Sequence, residues 1–203
     1  PLMWQTSGPS ELVIEGGTHN EKAPSFSFLE TTWTRWISRL GLQVTLEMKR
    51  PGFYPKGGGL VIAHLQPCPE IHSLQADSDP LPEVEVLSVA ASLPEHVARR
   101  QQRRAEQRLK HDFEVVGSRV EMWDNAIGSF VGVTVKGEVP ALFGGIGARG
   151  KPAEQVADDA CGEAIKHLRQ LATVDEHSSD QILLPLAFAK GSSRYRVGEF
   201  SSH

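Results

Sequence analysis

The chain predicts a mixed α/β fold, and three observations carry that prediction. Short segments such as Val44, Leu46 and Met48 alternate with Gln43, Thr45 and Glu47, the pattern of a half-buried strand. Other segments repeat their apolar residues at helical spacing, first Phe26, Leu29, Trp33, Ile37 and Leu40, then Val156, Ala160, Ala164, Leu168 and Leu171. With 203 residues and 39% apolar content, the chain can bury a core as one large domain or two small ones.

Glu11 to Ile14 reads as a strand leaving through the Gly16-Gly17 turn, and Ser25 is a suitable cap for the first helix. Gly41 ends that helix, with Arg35 and Arg39 on its wet side. The strand Val44 to Met48 and a second strand, Leu60 to Leu65, enclose Phe53 to Gly59 as the cap of a hairpin. From about Pro67 to Glu83 the chain turns to Pro, Asp, Ser and His with little periodicity, which marks a domain junction. A new α/β module follows: strand Val84 to Ala90, helix Pro94 to Lys110, strands Phe113 to Met122 and Ser129 to Val135, a weak strand Pro140 to Phe143, and a helix opened by Pro152. The chain then returns through Thr173 to Gln181 into an apolar helix, Ile182 to Ala189, and a strand, Ser193 to Val197.

Composition narrows the function. A net charge of -4 and a pI near 6.1 argue against coating nucleic acid through a wide basic surface, while leaving room for a small basic pocket. Cys68 and Cys161 lie far apart without metal-type spacing, so neither a disulfide framework nor a zinc site is indicated. No run of eighteen apolar residues spans a bilayer, and a soluble protein of the cytoplasm, or of the nucleus in a eukaryote, is expected. The start at Pro1 and the end on His203 give the expectation of an excerpt from a longer protein.

Two glycine motifs and one charge run have plain readings. Gly145-Ile146-Gly147-Ala148-Arg149-Gly150 matches a dinucleotide-binding pattern, but the strand before it is weak and Pro152 starts the helix only after the last glycine, so a loop is expected. Arg99, Arg100, Arg103, Arg104, Arg108 and Lys110 on one helix read as a solvated face with Val97 and Leu109 turned inward. Gly57-Gly58-Gly59 beside Lys49, Arg50 and Lys56 pairs bare backbone donors with fixed positive charge, which suits a phosphate and equally suits a hairpin turn with solvated cations.

Glu15-Gly16-Gly17-Thr18-His19-Asn20, Ala23-Pro24-Ser25-Phe26-Ser27-Phe28-Leu29-Glu30, Gly52-Phe53-Tyr54-Pro55-Lys56-Gly57-Gly58-Gly59 and His177-Ser178-Ser179-Asp180-Gln181 together resemble the RNA 3'-terminal phosphate cyclase family. The resemblance covers nearly the whole chain and begins partway into the family pattern. It implies a catalytic domain of repeated βαββ-type units at residues 1 to 76 and 173 to 203, with a smaller inserted module of mixed sheet and two helices at 77 to 172.

It also implies roles. Pro24, Phe28, His177 and Asp180 would surround the adenosine of ATP, although Phe28 alone reads as a core residue and His177 as a surface cap. The family often has a tyrosine at the place of His177 and Leu-Ala at Ser178-Ser179. His203, which alone reads as an exposed chain end, matches the family's nucleophilic histidine, and neutral imidazole is a competent nucleophile near neutral pH. Arg50 and Lys56 are assigned to the RNA end; His19 and Asn20 would position a phosphate or hydroxyl, an Asx-type turn explaining Asn20 equally well. The implied reaction converts RNA 3'-phosphate ends to 2',3'-cyclic phosphates at the expense of ATP, with Mg²⁺ or Mn²⁺ on the nucleotide. Two rivals share the architecture: a non-catalytic relative that assists ribosomal RNA processing, which lacks the histidine, and a carboxyvinyl transferase, which has no use for an adenine pocket.

Overall fold

A computed structural model describes residues 2–199. Strand β1 (Ser10–Gly16) leads through a loop to Ser25, whose Oγ accepts from the Phe28 amide and caps the first helix. That helix runs without a break through α1 (Phe26–Phe28), a π-helical turn (Leu29–Trp33) and α2 (Thr34–Arg39), and ends at Gly41 with φ +86°. Strands β2 (Val44–Arg50) and β3 (Gly59–Leu65) form the expected hairpin, and β3 sits between β2 and β1, antiparallel to both. These elements make one unit of the expected βαββ kind. Gly52 lies where the ends of the three strands converge: a Cβ there would stand 2.4 Å from the Gly59 amide nitrogen and 2.6 Å from the Gly16 carbonyl, so only glycine fits.

The second sheet is mixed, in the order β6-β5-β7-β8. Strand β5 (Glu83–Ala91) crosses over through α3 (Glu95–Leu109) to the parallel edge strand β6 (Glu114–Trp123), while β7 (Gly128–Val135) and β8 (Ala141–Ile146) continue antiparallel. Both faces are covered. Val84, Val86, Val131, Val133 and Phe143 pack under α3 and α4 (Ala153–Gln170), whereas Val89, Phe130 and Leu142 point the other way and pack against Phe28 and Phe53 of the first unit. Alternate residues of one strand therefore serve two cores, which explains the almost unbroken apolar run in β7.

Three expectations are corrected. The helix near the end is α5 (Glu176–Leu186), not Ile182 to Ala189: Asp175 caps it by accepting from the Ser178 amide, so a polar first turn precedes the apolar one. Leu171 does not share the buried face of α4, because it closes the helix with φ 48° and stays half exposed. Of the strand expected from Ser193 to Val197 only β9 (Arg194–Tyr195) forms, pairing in parallel with β4 (Gln75–Ala76) of the stretch after Pro67, where Leu74 and Ala76 are buried.

Candidate nucleotide corner and cationic cleft

The first turns of two helices bring Phe28 and His177 together, with ring centroids 6.1 Å apart and planes crossing at 88°. Phe28 is 4% exposed and belongs to the cluster between the two sheets. It therefore braces His177 at a right angle, which leaves no slot between the rings for a base. His177 is the open partner, its side chain 54% exposed. The Glu163 carboxylate, 3.5 Å from Nε2, bonds to the imidazole and pushes its pKa up against the effect of burial, with Asp175 and Glu176 adding to the rise. Pro24 is exposed just ahead of the Ser25 cap. Asp180 lies one turn along α5 from His177, half-buried; after burial itself, its charge is the second cause of the raised Tyr195 pKa.

Arg50 and Lys56 come together in an open cleft of about 570 Å³. A bulge between Met48 and Arg50 shifts the register of β2 just before the loop, and Arg50 Nε donates to the Gly58 carbonyl, which fixes the guanidinium at the rim. Gly57 and Gly58, at φ +62° and +73°, form the same wall.

His19 does not stand where it could touch a ligand. It is 0% exposed, with Nδ1 2.9 Å from Thr18 Oγ1 and Nε2 3.0 Å from Ser27 Oγ. Its ring stacks on Phe53 at 5.3 Å and meets Phe130 and Trp123 edge-on. The expectation was that His19 positions a phosphate or hydroxyl; the structure places it in the interior, where burial also holds its pKa down at about 4 and keeps the ring neutral. Asn20 lays its carboxamide over Gly17, where a Cβ would meet Nδ2 at 1.7 Å; this is local turn packing. His203 lies outside the described residues.

The glycine decoy resolves into a strand and a turn. Gly145 and Ile146 end β8, an antiparallel edge strand, and a Cβ on Gly145 would stand 2.0 Å from the Val156 carbonyl of α4. The glycine admits close helix–sheet packing there. The arginine run is solvated in part and paired in part: Arg100 and Arg104 each form two bonds of 2.8–2.9 Å with Glu154 and Asp158 of α4. Leu109 is buried as expected, while Val97 is half-buried.

The model of one family, described as RNA 3'-terminal phosphate cyclase, matches residues 1–203. The chain belongs to that family. It is 38% identical over 208 aligned positions to an RNA 3'-terminal phosphate cyclase of Ectopseudomonas mendocina, covering all of this chain and 60% of the relative. Against a protein of the same name from Ralstonia nicotianae it is 37% identical, covering 93% of this chain and 55% of the relative. An archaeal protein of that name, from Pyrobaculum neutrophilum, is 31% identical over all of this chain and 60% of its own length. This chain thus spans little more than half the length of these relatives. No helix among its described residues is long and apolar enough to cross a membrane, and none of those residues form a group of three or more His, Cys, Asp or Glu able to share a metal ion.

Four residues of the cleft escaped the sequence reading: Ser92, Asn125, Ala126 and Ile127. The only signal was turn chemistry at Asp124-Asn125, which says nothing of what the turn faces.

Proposed function

We propose that the full-length protein carrying this chain converts RNA 3'-phosphates to 2',3'-cyclic phosphates using ATP. The observation that carries the reading is the meeting of Phe28 and His177, far apart in sequence, at two capped helix starts in a chain of this family. The exposed His177 ring is the platform for adenine, braced by Phe28; Pro24, ahead of the same helix start as Phe28, covers the base, and Asp180 accepts from the base or ribose. Arg50 and Lys56 hold the RNA end.

His203 supplies the nucleophile. Its ring nitrogen bonds to the α-phosphorus of ATP as the bond to the bridging oxygen breaks and pyrophosphate leaves. An oxygen of the RNA 3'-phosphate then displaces the imidazole and takes the AMP. The neighbouring 2'-hydroxyl, losing its proton, attacks the activated phosphate and expels AMP. The requirement for that hydroxyl ties the reaction to RNA. Divalent metal is expected to arrive on the ATP oxygens, whose negative charge it would offset.

Incubating the full-length protein with α-labelled ATP and Mg²⁺ or Mn²⁺ is expected to leave label on the protein that acid removes and alkali retains. His203→Ala is expected to abolish it. Label persisting in that variant removes His203 from its role, and a wild type that takes no label favours the non-catalytic reading.

A further inference from the structure

We propose that the cleft opposite the glycine-rich hairpin binds the nucleotides just upstream of the reacting RNA end, and that the four-stranded module supplies half of that subsite. The inference rests on the cyclase reading and extends it to a surface which the adenine corner does not use.

The two walls come from different units. Arg50, Lys56 and the Gly57-Gly58 turn form one wall; the β5–α3 turn, through Ser92, and the β6–β7 turn, through Asn125 to Ile127, form the other. Ser92 and Asn125 are non-glycine residues with left-handed backbones, φ 45° and 65°, a conformation that persists only where the surroundings enforce it. The Ser92 amide donates to the Trp123 carbonyl at 2.9 Å, so the two turns of this wall are locked together. Ala126 is buried in the cluster between the sheets, whereas the neighbouring Ile127 is 65% exposed at the cleft.

Cations and bare backbone on one side and an exposed aliphatic side chain on the other match a single strand: phosphates go to the cations, and a base face lies on the apolar group. At about 570 Å³ the cleft accommodates one nucleotide and part of a second. Ser92 and Asn125 are the polar side chains of the lining able to meet a base edge, against two cations and the Gly57-Gly58 turn, so most of the recognition is indifferent to sequence.

The test uses the full-length protein and oligoribonucleotides of two and four nucleotides bearing a 3'-phosphate. The wild type is expected to show a KM about tenfold lower for the tetramer, whatever its upstream bases, with kcat alike. Ile127→Asp is expected to erase that preference, and Lys56→Ala to reduce the slope of log KM against log salt by about 0.7, the share of one phosphate contact on a single strand. A photoreactive uridine one or two positions upstream of the end is expected to crosslink to residues 123–127 of the wild type, a readout that does not depend on how a variant folds. Cyclisation with no length preference, or crosslinks confined to other segments, overturns this inference and leaves the cyclase reading standing. A wild type that forms no cyclic ends at all overturns the reading on which it rests.

Discussion

His19 and His177 show how one side-chain type takes opposite roles within a single cluster of contacts. His19 is enclosed by Phe53, Phe130 and Trp123 and resists protonation down to about pH 4, while in the unfolded chain it takes a proton near 6.5. The unfolded state therefore binds more protons between those values, and stability falls as pH drops through that window, by about 3 kcal/mol at its lower end. Denaturant titrations at pH 7 and pH 4.5 are expected to show this loss in the wild type and a smaller one in His19→Gln; equal losses exclude His19 as the cause. His177 has the opposite sign. Glu163 raises its pKa, so the pair contributes below about 6.5 and the contribution fades as pH rises through the raised value. An NMR titration is expected to place the His177 imidazole above 6.5, and Glu163→Gln to bring it down; an unmoved midpoint excludes that pairing. Neither role is written in the residue type, and a lone histidine in sequence carries no sign of its burial.

Helices and strands were legible to the degree that their apolar residues were regular. The α3, α4, β5 and β7 segments were found to within a residue or two because each buries a periodic face. The start of α5 was hidden because Glu176 to Gln181 contains no apolar residue; the cap at Asp175 was its only mark. The π turn was hidden for a different reason: one extra residue per turn barely disturbs the apolar spacing. That turn has a use. Thr32, in its middle, accepts from the Leu142 amide of β8 at 2.9 Å, tying the first helix to the edge of the second sheet. Thr32→Val keeps the shape and orphans a buried amide, and is expected to cost about 1–3 kcal/mol in denaturant unfolding. A loss under 0.5 kcal/mol argues that the amide finds another partner.

Across the whole molecule, the cluster of Phe28, Phe53, Ala126, Phe130 and Leu142 draws on both sheets and packs them against each other. Unfolding followed by tryptophan fluorescence and by far-UV circular dichroism is expected to give coincident transitions, and Phe53→Ala to lower stability by about 3–5 kcal/mol. Two separated transitions in the wild type would show that the sheets unfold independently. The cleft and the meeting of Phe28 with His177 were the least legible features, since each joins segments that only the fold brings close; the family resemblance anticipated the second, and of the first only the wall of Arg50, Lys56 and the Gly57-Gly58 turn was readable in the sequence. One residue on the returning chain also ties distant segments. Arg196 bonds to Asp77 and Asp79 where the chain enters the second module, and its backbone accepts from Thr173 and Val174 where the chain leaves it. Entry and exit are thus clasped at one point, like two ends of a thread held under one finger. The attachment of the second module is set at that point, apart from the turns at Ser92 and Asn125 that face the first unit, and a change of length in its remaining loops leaves the helix starts around Phe28 and His177 in place.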